Sequence, residues 1–166
     1  MSSTKMLVTG AFMAAIASSF QLIPVLLSEA AVLLTMFSAL PIYIAARCKP
    51  VTGILSYLTA AILIMLFSTH ESLFFLCTNG MVGLSLGICC YYTQKKLIIL
   101  MISSLVMTIS LSIMNYVIGF PVFGTTLPGT YTIQFILIFL FSFVYNTIYY
   151  YFAGFLSRRI NIQKRF

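Results

Sequence analysis

Apolar residues form six long stretches that are separated by short polar segments. The stretches cover residues 6–27, 30–46, 51–67, 73–92, 97–118 and 131–156. A helix crosses the hydrocarbon core of a bilayer with about 20 apolar residues, and the usual range is about 17–25. The pattern therefore predicts an all-α integral membrane protein, a single domain over residues 1–166 with six transmembrane helices.

The charged residues alternate between the gaps in a way that predicts topology. The basic residues occupy every second gap: Lys5, Arg47, Lys49, Lys95, Lys96, Arg158, Arg159, Lys164 and Arg165. The two acids, Glu29 and Glu71, lie in the remaining gaps. Short cytoplasmic loops carry an excess of Lys and Arg. We therefore expect a multi-pass protein of the bacterial cytoplasmic (inner) membrane with both termini in the cytoplasm.

Composition agrees with a chain that is solvated by lipid. Hydrophobic residues make up 61% of the sequence, charged residues 7%, and the mean hydropathy is +1.10. The net charge is +7, but a nucleic-acid-binding surface needs its basic residues clustered on one face. Here they are dispersed beside the membrane, where anionic lipid attracts them. We expect the lipid bilayer as a partner and no nucleic acid.

Carboxamide side chains recur at one depth near the predicted outer surface. They belong to Gln21, Asn79, Asn115 and Gln134, with His70 and Glu71 above them. Each amide offers two donors and an acceptor, so a group of them suits a neutral or zwitterionic polar solute. The alternative is that each amide only ties two helices together.

The last two stretches carry further polar residues with helical spacing. In the fifth they form one stripe of Ser104, Thr108, Ser112 and Asn115, because residues three or four apart share a helix face. In the sixth, Asn146 lies in the inner half, where we interpret it as a helix-packing residue.

Small residues form two adjacent ridges along the first stretch. One ridge contains Gly10, Ala14 and Ser18, and the other contains Ala11, Ala15 and Ser19. Ridges of this kind let a second helix approach closely in a membrane. They are typical of a docking face for a partner protein, or of packing inside the bundle.

Residues that catalysis would require are missing from the sequence. It has no Asp, one His and no carboxylate within a predicted span, whereas nucleophilic catalysis needs a base beside the nucleophile. The four cysteines and the single His lack metal-ligand spacing. We therefore expect no enzyme, no metal and no cofactor. An ion-driven carrier would need an acid in mid-membrane, so energy for any transport would come from other subunits.

Three segments resemble a known family of membrane proteins. They are residues 10–17 (GAFMAAIA), 34–43 (LTMFSALPIY) and 79–87 (NGMVGLSLG). Together with six helices in a short chain, they resemble the substrate-binding S component of energy-coupling factor (ECF) transporters, and the related uncharacterised YybS-like branch. The resemblance implies an S-component bundle that captures a vitamin or similar micronutrient from outside. It also implies a transmembrane coupling protein and two cytoplasmic ATPases as partners.

The resemblance also assigns residues to two sites. The docking face for the coupling protein would comprise Gly10, Ala11, Ala14, Ala15 and Ser18. The substrate site would comprise Glu71, Asn79, Asn115, Tyr116 and Gln134, to which the amide pattern adds Gln21. The alternative is a membrane scaffold similar to the MreD type, which has this architecture and needs no ligand.

Overall fold

A computed structural model of the chain describes residues 3–27, 29–120 and 131–159. Within these ranges the chain is helical and contains no strand. The elements are α1 (Ser3–Leu26), a 3-10 helix (Glu29–Ser38) that runs into α2 (Ala39–Cys48), α3 (Pro50–Met65), α4 (Thr69–Cys77), α5 (Asn79–Tyr92), α6 (Lys96–Ser112) with a π-helical turn (Ile113–Val117), and α7 (Tyr131–Arg159).

The lengths and composition of these helices are those of a membrane protein. Five segments are long and apolar enough to cross a bilayer: Thr4–Leu26, Ala31–Cys48, Thr69–Tyr92, Lys96–Val117 and Tyr131–Leu156. The remaining apolar helix, α3, has 16 residues, just below the usual length for a crossing. Large side chains such as Leu66 and Leu97 are 76% and 74% exposed, as expected for a surface covered by lipid. The predicted helical membrane character is confirmed, whereas the count of six crossings stays a prediction.

Charge is separated between the two ends of the bundle. The beginning of α1, the α2–α3 turn and the end of α5 meet at one groove, which contains Met6, Lys49 and Tyr91. Lys96, which begins α6 shortly after the end of α5, contacts the Tyr151 hydroxyl near the end of α7 through its ammonium group. We call this the basic end. The α3–α4 turn, which precedes Glu71, lies at the other end, which we call the Glu71 end.

Helix α2 lies in the centre of the fold and packs at backbone distance against two neighbours. A Cβ atom added to Gly83 of α5 would lie 2.3 Å from the carbonyl oxygen of Ala39. One added to Gly53 of α3 would lie 2.4 Å from Cα of Ala46. Because no side chain fits in these gaps, glycine is required at both positions for the helices to approach so closely.

Three departures from regular α-helix lie toward the Glu71 end. The predicted single helix over residues 73–92 is broken at Thr78 (φ −119°, ψ −94°) into α4 and α5. The second stretch begins as a 3-10 helix, and the fifth ends in a π-helical turn. Irregular backbone at membrane depth is tolerated where it is buried in protein or lines a cavity, and a cavity lies between these segments.

Candidate functional site

A cavity of about 740 Å³ lies between α1, the 3-10 helix, α4, α6 and α7 at the Glu71 end. Exposed Val25 and Leu33 are at its rim, and Met107 and Leu111 of α6 line it as well. Its volume is in the range of about 300–1,000 Å³ that is typical of small-molecule sites. The fold therefore leaves room for a solute where three helices depart from regular geometry.

Gln21 is the central polar residue of the cavity wall and is 2% exposed. Its Nε2 donates a hydrogen bond to Oε2 of Glu71 on α4, at 2.8 Å. Its Oε1 accepts hydrogen bonds from the Ser38 hydroxyl at 2.9 Å and from Nδ2 of Asn79 at 3.1 Å. One carboxamide thus joins α1 to the end of the 3-10 helix, to α4 and to α5.

Asn79 is the first residue of α5 and extends the same network. Its Nδ2 also donates to the backbone carbonyl of Thr35 at 3.1 Å, and its Oδ1 accepts from the Tyr145 hydroxyl at 2.9 Å. The break at Thr78 positions this side chain, because it ends α4 and starts a new helix at Asn79. The network therefore reaches from α1 to α7.

Glu71 forms a contact across the bundle in place of one within its own helix. Residues 68–71 (STHE) have the spacing of a capping box, in which the glutamate side chain accepts from the backbone N–H of the serine. The Ser68 hydroxyl does accept from the Glu71 backbone N–H at 3.3 Å. The Ser68 N–H, however, donates to the carbonyl of Ile64 at 2.9 Å. The Glu71 carboxylate is directed instead to Gln21 and the cavity.

The rest of the wall is apolar and rich in aromatic rings. Phe74 of α4 and Phe120 pack edge-on at 5.1 Å, and His70 contacts both rings at 5.0 and 4.8 Å. Phe141 stacks on Tyr145 at 5.9 Å on the opposite side, where both line the cavity. The site combines a small polar network with a large apolar surface, as ligand pockets commonly do.

Three of the predicted binding residues lie away from this cavity. Gln21, Glu71 and Asn79 meet as described, whereas Asn115, Tyr116 and Gln134 do not line the cavity. The Tyr116 hydroxyl donates to Oε1 of Gln134 at 2.6 Å, so these two residues connect the π-helical turn to the start of α7. The π-helical turn begins just before Asn115 and rotates the face of the helix relative to a regular α-helix.

The two ridges of α1 have different environments. Gly10, Ala14 and Ser18 are buried, and the Gly10 carbonyl accepts a hydrogen bond of 2.9 Å from the Ser56 hydroxyl of α3. Ala11 and Ala15 are exposed on the surface of the bundle. The first ridge therefore packs inside the fold, and only the second is accessible to another protein.

Sequence reasoning missed three residues of the site, namely Thr35, Ser38 and Tyr145. Ser38 and Thr35 are ordinary hydroxyl residues in an apolar stretch, and Tyr145 directly precedes Asn146, in the half of the last stretch where the sequence indicates helix packing. Asn146, interpreted as a packing residue, is fully buried and donates to the Ser142 carbonyl at 2.8 Å. The common depth of the carboxamides along their stretches was the signal in the sequence that pointed to this cavity.

The arrangement is suited to binding. Among the residues that the structure describes, no three His, Cys, Asp or Glu side chains are placed to hold a metal ion.

Comparison with known proteins adds no assignment: no protein-family model, no curated protein and no solved structure matches this chain.

Proposed function

We propose that this chain is a membrane-embedded solute-binding protein that captures a small polar molecule at the Glu71 end. The observation that carries the proposal is the cavity of about 740 Å³ with the Gln21–Glu71–Asn79 network in its wall. A bundle that used these amides only to join helices would have no need for a void of this size beside them.

The network is pre-organised for a ligand. Gln21 and Asn79 are held by each other and by their neighbours, so a solute would meet groups that are already oriented, which lowers the entropy cost of binding. The Gln21 amide has a second N–H and the Glu71 carboxylate a second oxygen. These groups can bond to a solute without breaking the contacts that hold the helices.

In its specific form, the proposal is that the chain is the S subunit of an ECF-type transporter for a vitamin or another micronutrient. The charge separation between the two ends supports an orientation with the Glu71 end outside and the basic end in the cytoplasm of a bacterial cell. The exposed ridge of Ala11, Ala15 and Ser19 would then receive the coupling protein, which brings the two ATPases.

Replacing Ala15 by leucine tests the docking surface. Ala15 is exposed, so the larger side chain should leave the fold intact and prevent close approach of a partner helix. A steric penalty of about 1.4 kcal/mol lowers the affinity for a partner tenfold. We therefore expect the amount of coupling protein and ATPases that copurifies from the source membrane to fall about tenfold or more.

The matched control is Gly154→Leu, which adds bulk on α7 where an added Cβ would meet nothing within 4 Å. This variant should copurify like the unmodified protein. Equal recovery of the partners with Ala15→Leu would exclude this ridge as the docking surface.

Native mass spectrometry of the detergent-purified protein tests the proposed function itself. We expect a retained small molecule, seen as a defined mass increment that is released by collisional activation. A preparation free of such an increment, which also fails to take up any component of a concentrated growth-medium extract, would contradict solute capture.

A membrane scaffold similar to the MreD type is the second candidate. It is favoured by the mutual hydrogen bonding of Gln21, Ser38 and Asn79, which joins helices even without a ligand. A scaffold would retain its cellular role after any substitution that blocks the cavity and preserves the fold, whereas a solute-binding protein would not.

A further inference from the structure

The charge of the cavity wall limits which solutes it can hold. Among the described residues that line it, Glu71 is the only carboxylate and none is Lys or Arg. The basic residues whose side chains the structure describes are not among those that line it, namely Lys5, Arg47, Lys49, Lys95 and Lys96. The described lining residues include two other titratable groups, His70 and Tyr145. The His70 ring packs against Phe74 and Phe120, and the Tyr145 hydroxyl donates a hydrogen bond to Oδ1 of Asn79.

The partner of Glu71 does not neutralise it. Its Oε2 accepts one hydrogen bond from the neutral amide of Gln21 at 2.8 Å. Glu71 is half-buried, and the part of a carboxylate that faces apolar surface loses hydration, a cost that an opposite charge with further hydrogen bonds offsets. A cation in the cavity would meet this requirement, whereas an anion would increase the cost.

The aromatic residues favour the same class of solute. Phe74, Phe141 and Tyr145 line the cavity together with Glu71. The faces of aromatic rings attract ammonium and guanidinium groups, and the attraction grows when water is excluded. Met36 and Met107, whose flexible side chains adapt to different shapes, line the same space and can pack against an apolar body.

We propose that the solute is an organic cation with a planar or bulky apolar body, whose positive group lies between the Glu71 carboxylate and the aromatic rings. This inference rests on the proposed function and specifies the chemistry of the same site. Gln21 would act as a positioning residue, because its amide fixes the carboxylate toward the cavity.

Three probes that differ only in their terminal group test the charge preference. They are tryptamine, tryptophol and indole-3-propionate, which carry an amine, an alcohol and a carboxylate, respectively. Binding of each probe to the purified protein is measured by calorimetry at pH 8. We expect the amine to bind about tenfold more tightly than the alcohol, as one partly desolvated charge contact would give, and the carboxylate to bind most weakly. Glu71→Gln should reduce the affinity for the amine to that for the alcohol. Lys49→Gln, which removes a charge at the basic end and outside the cavity lining, should leave the order unchanged.

Equal binding of the three probes, tighter binding of the carboxylate, or no binding of the amine would overturn the cation assignment. The order of the probes on the unmodified protein decides the question even if Glu71→Gln fails to fold. Failure of the assignment is distinguishable from failure of solute capture, because a retained anionic or neutral molecule in native mass spectrometry would support capture while excluding a cation.

Discussion

Replacing Asn79 by leucine is expected to abolish retention of the solute. Leucine has nearly the same size but removes two donated hydrogen bonds, to Gln21 and to the Thr35 carbonyl, and the acceptor for Tyr145. The Tyr145 hydroxyl and the Gln21 carbonyl would then face the cavity with altered orientation. If each of these two groups loses a hydrogen bond of about 1.4 kcal/mol to the solute, the affinity falls about 100-fold. The measurement is the occupancy in native mass spectrometry across a titration with the identified solute.

Asn146→Leu provides the matched control for this substitution. Asn146 is also a fully buried asparagine and does not itself line the cavity. Its amide donates to the Ser142 carbonyl within α7 and contacts the sulfur of Met107. At about 0.6 kcal/mol for each hydrogen bond within a membrane, Asn79→Leu, which removes three, should lose about 2 kcal/mol of stability, and Asn146→Leu, which removes two, about 1 kcal/mol. Only Asn79→Leu should lose the solute. Equal retention by the two variants would favour a purely structural network.

Replacing Gly83 by alanine is expected to cause the largest loss of stability. The new methyl group would lie 2.3 Å from the carbonyl oxygen of Ala39, and 3.2 Å from Ala39 Cα. Backbone cannot rotate away like a side chain, so α2 and α5 must separate. Overpacking typically costs about 1–3 kcal/mol, and for a chain of this size each kcal/mol corresponds to about 2–4 °C. We expect the midpoint of thermal unfolding in detergent to fall by about 5 °C or more.

Gly154→Ala makes the same chemical change without the clash, because nothing lies within 4 Å of the added Cβ. Alanine is also the better helix former, so this variant should be as stable as the unmodified protein or slightly more stable. Similar losses in the two variants would mean that α2 and α5 are less closely packed than the structure has them.

Solute binding should respond to Gly83→Ala as well. Helix α2 follows directly from Ser38, and α5 begins at Asn79, so separating the two helices moves both residues that donate hydrogen bonds to Oε1 of Gln21. Stability and binding are therefore coupled through one interhelical distance.

Much of the fold could be predicted from local sequence. The apolar stretches match the observed helices because long apolar segments have few alternatives to helix in lipid. The convergence of Gln21, Glu71 and Asn79 could be expected from depth alone, since each lies near the same end of its stretch. The buried stripe of Ser104 and Thr108 follows from helical periodicity.

The separation of Asn115, Tyr116 and Gln134 from the cavity has a physical reason. Depth along a helix is fixed by counting residues, whereas the direction of a side chain depends on how the helix is rotated against its neighbours. The π-helical turn at Ile113–Val117 changes that rotation for Asn115 and Tyr116. No local pattern placed Tyr145 of α7 against Asn79 of α5, because that contact joins residues 66 positions apart.

The break at Thr78 gives Gln21 a mechanical role. Glu71 belongs to one segment of the broken helix and Asn79 to the other, and a single carboxamide holds both. The Gln21 side chain, which lies in the cavity wall, thus fixes the angle between the two segments. A solute that bonds to Gln21 alongside these contacts would hold the two segments more firmly, so an occupied cavity would restrict bending of the bundle at Thr78.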